Sequence, residues 1–286
     1  MSVVALSEKK IAIIGLGLMG GSLALALRGS CQEILALENN AETITFAKDH
    51  QIVDRISSHP EDILPQADVI ILATPVGTIV NLIPLLPNWH SGSPLVMDIG
   101  STKVRICEEL NRLPDRFHSL GGHPMCGKEF SSIQYADGTI FKEAPFALCA
   151  LPSTRDSDQK VAQAIVAAIG ANVLWMDAQT HDRWVAATSH VPYLIANALA
   201  AVVPSDAKIL AGPGYRSTSR LAGSNIQMMT DILMTNREAV VNQLDIYQQQ
   251  LNSLRELLLS QSWDLLIHEL TDGRNKYQEI ATIKER

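Results

Sequence analysis

Apolar residues in the first half of the chain come in short runs, separated by stretches with helical periodicity. The runs at 11–14, 34–37, 69–73 and 95–98 are almost wholly apolar and rich in Ile, Val and Leu. That is the pattern of strands buried on both faces of a parallel sheet. Residues 23–27, 41–48 and 78–86 read as the intervening helices, and 54–56 as an edge strand. Strands alternating with helices predict a sheet covered on both sides. Beyond Phe117, the segment Gly121-Gly122-His123-Pro124 reads as a loop or a turn after a strand. Residues 144–150 and 173–176 read as further strands, and 159–169 as a helix closed by Gly170. From Ala178 onward the period is helical almost throughout. Residues 185–205 are uncharged and Ala-rich, as in a helix buried on most sides, and 230–259 are long and amphipathic. The pattern predicts an α/β chain, with a doubly wound parallel sheet over 1–176 and an all-helical domain over 177–286.

Composition narrows the function classes. The chain has 286 residues, 47% hydrophobic and 19% charged, which supplies ample core. Its net charge of −7 comes without any basic run, so nucleic acid is excluded as the main partner. Residues 69–97 carry no charge, yet four prolines and two glycines break them into pieces too short for a membrane span. Four scattered cysteines (31, 107, 126 and 149) form no CxxC pair, and the N-terminus has no secretory pattern. Both features lead us to expect reduced thiols and a cytoplasmic protein. No metal-ligand spacing appears, with His181 and His190 nine apart on a presumed helix.

The first chemical signal is Gly15-Leu16-Gly17-Leu18-Met19-Gly20, a GxGxxG match that follows a strand and opens a helix. Gly15 would permit the tight turn, Gly17 the approach of a pyrophosphate, and Gly20 close packing of helix on strand. Glu38 ends the second strand, where a carboxylate accepts hydrogen bonds from ribose hydroxyls and repels a 2′-phosphate. Asn39 and Asn40 follow it, and no cation is adjacent. A Rossmann-like domain binding NAD rather than NADP is therefore expected. Thr74 and Pro75, which end the 69–73 run, complete the expected cofactor set.

Further along, Gly121-Gly122-His123-Pro124-Met125-Cys126-Gly127 resembles the GGHPMAG segment of the prephenate/arogenate dehydrogenase family. Asp98-Ile99-Gly100-Ser101-Thr102-Lys103, Thr188-Ser189-His190-Val191-Pro192, the segment from Gly214 to Arg220, and Thr235-Asn236-Arg237 resemble four more of its motifs, in family order. The resemblance implies a Rossmann-like domain joined to a helical dimerisation domain, hence a homodimer. It also implies oxidative decarboxylation of a cyclohexadienyl substrate in tyrosine biosynthesis: prephenate to 4-hydroxyphenylpyruvate, or arogenate to tyrosine. After the last helix little chain is left for a regulatory domain or a fused mutase.

The same resemblance implies roles. His123 matches the catalytic histidine, a neutral imidazole suited to take the ring hydroxyl's proton as hydride leaves. Ser101 matches the serine that hydrogen-bonds this hydroxyl. Arg220 matches the arginine that clamps a substrate carboxylate through its bidentate guanidinium, with Arg216 in support. His190 matches a pocket histidine, and Tyr193 lies on the same helix face. Departures cluster here: Cys126 for Ala, Lys128-Glu129 for a small hydroxyl residue and an acid, Ser132 for Gly, Ser217 for Asp, and Tyr193 for a second His. They leave the reaction type intact and the choice between prephenate and arogenate open. Two other classes compete: a β-hydroxyacid dehydrogenase or imine reductase, which would lack the histidine segments, and a silent dinucleotide sensor, which would lose His123 or Arg220.

Overall fold

The computed structural model describes residues 6–128 and 132–281. By compactness the chain divides after Arg237. The first unit is built on one eight-stranded sheet in the order β3-β2-β1-β4-β5-β6-β7-β8. Its strands are β1 (Lys10–Ile14), β2 (Glu33–Leu37), β3 (Arg55–Ser57), β4 (Val69–Leu72), β5 (Leu95–Asp98), β6 (His118–Pro124), β7 (Pro145–Ala150) and β8 (Asn172–Trp175). Every neighbouring pair is parallel except β6 and β7. The first six strands have the 3-2-1-4-5-6 order of a dinucleotide-binding sheet, with its crevice where the order reverses.

Strand pleating divides the core in two, because successive side chains point to opposite faces. On one face Ile11, Ile13, Val69, Ile71, Leu95 and Met97 pack with Leu23, Ala24 and Leu27 of α1 (Leu18–Leu27) and Val161, Ala162 and Ile165 of α5 (Asp156–Ala168). On the other, Ala12, Ile14, Ile70, Leu72 and Val96 pack with Ile79 of α3 (Val76–Leu82) and Ile106 and Leu110 of α4 (Val104–Leu110). Between β2 and β3 runs α2 (Ala41–Asp49), capped by the Asn40 side chain. The uncharged stretch 69–97 folds as β4, short helices and β5, so its apolar content is sheet core.

Three expectations change. Residues 121–124, read as a loop or turn, are the end of strand β6, which continues through Pro124 beside β7. The helical segment after β8 comprises α6 (Ala178–Val185), a π-turn (Ala186–His190) and α7 (Val191–Val202). It is long and apolar enough to cross a membrane, yet only about a third of its most apolar stretch is buried within the chain. The expected burial on most sides is therefore absent in the single chain. The continuous helix expected over 230–259 breaks at Asn236, whose φ of −119° and ψ of 26° end α9 (Ile226–Thr235). Between α7 and α9 lie α8 (Pro213–Ser219) and a short 3₁₀ turn, Arg220–Gly223.

The composition shift at 177 does not end the first compact unit, because Tyr193, Met229 and Ile232 join the second core face. The second unit, 238–281, is the helical pair α10 (Arg237–Leu259) and α11 (Trp263–Ala281), turning at Gln261 with φ +52°. Gln250 donates to Glu269 across it at 3.0 Å. Leu251, Leu258, Trp263, Leu265 and Leu270 are exposed in the single chain.

Candidate active site

The glycine loop is held by sterics on both sides. Gly15 has φ +95°, and a Cβ there would sit 2.6 Å from Thr74 Cγ2. A Cβ on Gly20 would sit 2.0 Å from the Gly15 carbonyl oxygen, so α1 can pass the loop only with glycine at this position. Gly17 caps α1 with no side-chain bond, leaving the N–H groups of the first turn, at Leu18 and Met19, to an anion. Glu38, one residue beyond β2 rather than its last residue, accepts from Leu16 N at 2.8 Å and from the N–H groups of Asn39 and Asn40 at 2.8 and 2.9 Å. Its carboxylate is thereby pinned beside the loop. Thr74 contributes a buried hydroxyl without a partner among the described residues, and Pro75 caps α3. An anion-ready helix end, a glycine cradle, a fixed carboxylate and an unsatisfied hydroxyl fit a dinucleotide.

At the far ends of β5 and β6, buried Asp98 ties two segments together. Its Oδ2 accepts from Gly100 N at 2.7 Å, next to Ser101, and its Oδ1 from Gly122 N at 3.1 Å, next to His123. Lys103, also fully buried, pairs with the same carboxylate. Removing one partner of such a pair typically costs ~3–5 kcal/mol, because the other charge is left uncompensated. Gly121 and Gly122 are explained by this close approach. A Cβ on Gly122 would lie 2.5 Å from the Asp98 carbonyl oxygen, and one on Gly121 would lie 2.9 Å from Cys107 Sγ.

His123 Nδ1 lies 2.8 Å from His181 Nε2, and His181 Nδ1 lies 2.7 Å from Asp182 Oδ1. Asp182 also accepts from the N–H groups of Lys103 and Val104 at 2.7 and 2.9 Å, closing the first turn of α4. Asn236 donates to the Asp182 carbonyl at 2.7 Å and to His190 Nδ1 at 3.1 Å. Thr102 donates to the Thr235 hydroxyl at 2.9 Å, because that hydroxyl donates to the Asp231 carbonyl. His181, Asp182 and His190 are each 2% exposed. Burial, with the neighbouring His181, Lys103 and His190, holds His123 well below the usual histidine range. Burial also pushes His190 down to about 4. Both imidazoles are therefore neutral at physiological pH.

Ser101 is half-buried in the bend between β5 and α4. Tyr193 is buried in the second core cluster with Ile79 and Met229. Arg216 and Arg220 are exposed, at α8 and at the 3₁₀ turn after it, and Arg216 Nε donates to the Ala211 carbonyl at 3.2 Å. That turn packs against α7, the helix that follows His190. Burial raises the Cys126 thiol to about 11, so it is protonated at neutral pH. Glu129 lies outside the described residues. No group of three or more potential metal ligands occurs among the described residues.

His181, Asp182 and Asn236 were not singled out for this site by the sequence. The available signal was a His-Asp dipeptide one turn into a helix capped by Asp177, but its partner His123 is 58 residues away.

Comparison with known proteins divides the chain near residue 176, at the shift in composition rather than at the compact-unit boundary. The family described as "Prephenate dehydrogenase, nucleotide-binding domain" matches residues 23–175, and "Prephenate dehydrogenase, dimerization domain" matches 177–272. A prephenate dehydrogenase of Lactococcus lactis subsp. cremoris is 29% identical, over 96% of this chain and 78% of its own. The solved structure of prephenate dehydrogenase from A. aeolicus with hydroxyphenyl propionate and NAD+ aligns with a TM-score of 0.88 at 28% identity, covering 96% of this chain and 99% of that one. Synechocystis arogenate dehydrogenase aligns at 0.81 and 29%, covering 95% and 99%. With both domain families matched in order over a nucleotide-binding sheet, this chain belongs to the prephenate dehydrogenase family.

Proposed function

We propose that this chain oxidatively decarboxylates prephenate or arogenate in tyrosine biosynthesis, with NAD as hydride acceptor, as a cytoplasmic homodimer. The observation that carries the reading is His123, an imidazole kept neutral at the carboxyl end of β6 and tied through Asp98 to the Ser101 bend. A nicotinamide dinucleotide held at the glycine loop and Glu38 would supply the acceptor for the hydride of the ring carbon that bears the hydroxyl. His123 takes the hydroxyl proton as that C–H bond breaks, avoiding a high-energy protonated dienone. Ser101 hydrogen-bonds the same oxygen. The ring carboxylate then leaves as carbon dioxide, its bonding electrons complete the aromatic ring, and His123 returns the proton to the phenolic oxygen. The proton is lent, and no net proton is consumed.

Arg220 clamps the side-chain carboxylate with Arg216 in support, and His190 and Tyr193 line the same pocket. Glu38 favours NAD: its pinned carboxylate can receive ribose hydroxyls, and a 2′-phosphate beside it would be repelled. The segment from 177 serves as the substrate and dimerisation half. Support for the dimer comes from the family match over 177–272 and from a helical segment whose most apolar stretch is only about a third buried. The hydroxyacid dehydrogenase and silent sensor readings are not favoured, since His123 and Arg220 are both present. The test is an assay of dinucleotide reduction with prephenate and arogenate side by side, each with NAD and with NADP. Reduction with NAD and either substrate, with release of carbon dioxide, is expected. Failure with both substrates would refute the reading, and greater efficiency with NADP would refute its cofactor part.

A further inference from the structure

The contacts from Asp182 through His181 to His123 determine which nitrogen of His123 carries its proton. Asp182 already accepts from two backbone N–H groups. A carboxylate so engaged faces its remaining neighbour as an acceptor, so His181 is protonated on Nδ1 and donates to it at 2.7 Å. A neutral His181 then has only a lone pair on Nε2. His123 Nδ1, 2.8 Å from that lone pair, must be the donor. His123 is left with its own lone pair on Nε2, across the ring, which is the form a general base requires.

We propose that His181 and Asp182 are a positioning pair that fixes the tautomer of His123 and holds the charge that develops on it. The proposal rests on His123 being the base. When Nε2 receives the substrate proton, the imidazolium keeps its Nδ1–H on His181, and His181 is backed by the buried carboxylate. Besides His181, the titratable groups that face His123 are Lys103 and His190, and Asp182 supplies the negative charge behind the pair. His190 is set the other way. Asn236 must present its amide nitrogen, because its 2.7 Å partner is the Asp182 carbonyl, and the same nitrogen donates to His190 Nδ1. His190 therefore carries its proton on Nε2 and can only donate there. One short network gives the two histidines opposite tautomers.

The test uses the full chain, with dinucleotide binding, turnover and its pH profile measured for each variant. Asp182→Asn replaces an acceptor with a group that can donate, and turnover should fall by about 10³–10⁴-fold with dinucleotide binding retained. Asp182 also closes α4, so the decisive comparison is at His181. His181→Gln keeps an acceptor for the His123 Nδ1–H and should stay within about tenfold of the parent. His181→Leu removes that acceptor and should lose about 10²–10³-fold in turnover. Nitrogen NMR of labelled histidines should find His123 protonated on Nδ1 in the parent and on a mixture of nitrogens in His181→Leu. A His181→Leu protein with parental turnover and His123 still protonated on Nδ1 alone, alongside an inactive His123→Asn, would overturn the pair and leave the base. Near-normal turnover in His123→Asn would instead remove the reading beneath it.

Discussion

The histidines and the arginines assigned to the proposed site differ sharply in exposure. His123, His181 and His190 lie in a network with Asp182 and Asn236 that assigns a role to each contacting nitrogen. Arg216 and Arg220 stand exposed on a seven-residue helix and the turn after it. The difference follows the task. Proton transfer needs a fixed tautomer and a heavy-atom distance of about 3 Å, which only a packed environment holds. Carboxylate capture needs a planar fork on a long stem, which can tighten after the substrate arrives. On the proposed roles, proton transfer draws on the packed network and carboxylate capture on the exposed arginines.

Breaking the rigid side should have the larger effect. His123→Asn should keep dinucleotide and substrate binding while turnover falls by roughly 10²–10⁴-fold. Steady-state kinetics beside a binding titration separates the two. On the adaptable side, Arg220→Ala should cost about 2–5 kcal/mol of substrate binding with little change in the dinucleotide constant. An unchanged substrate constant would move the clamp to Arg216 or elsewhere. The smallest effect is expected at the cofactor. Glu38→Ser combined with Asn39→Arg should shift preference toward NADP by about 1.5–3 kcal/mol, the worth of a charge-assisted hydrogen bond. The ratio of kcat/KM for the two dinucleotides reads it directly.

The sheet was legible because its strands are short apolar runs, and the glycine loop because its spacing answers to backbone sterics. Gly121 and Gly122 misled for an instructive reason. A glycine pair ordinarily marks a turn, but here it lets a strand pass close to Asp98 and Cys107. Asn236 broke a helix that amphipathic period alone would have continued, because its amide turns inward to Asp182 and His190. The proposed positioning pair was invisible for a related reason. A His-Asp dipeptide near a helix start looks like an exposed polar turn until the fold brings it to a residue 58 positions earlier. Local pattern reports local constraint, and the site's polar network is almost entirely long-range.

The central claim is that His123 acts as a base held neutral by its surroundings. The most direct measurement is the pH dependence of kcat/KM for the parent chain and for His123→Asn. A general base works in its unprotonated form, so activity is lost as pH falls through its pKa. Burial and the neighbouring His181, Lys103 and His190 lower that pKa, so the parent's acidic limb should lie clearly below the ordinary histidine value of about 6.5. In His123→Asn the residual activity should show no such limb. A limb that persists in His123→Asn, or a parent limb above the ordinary value, would contradict the account.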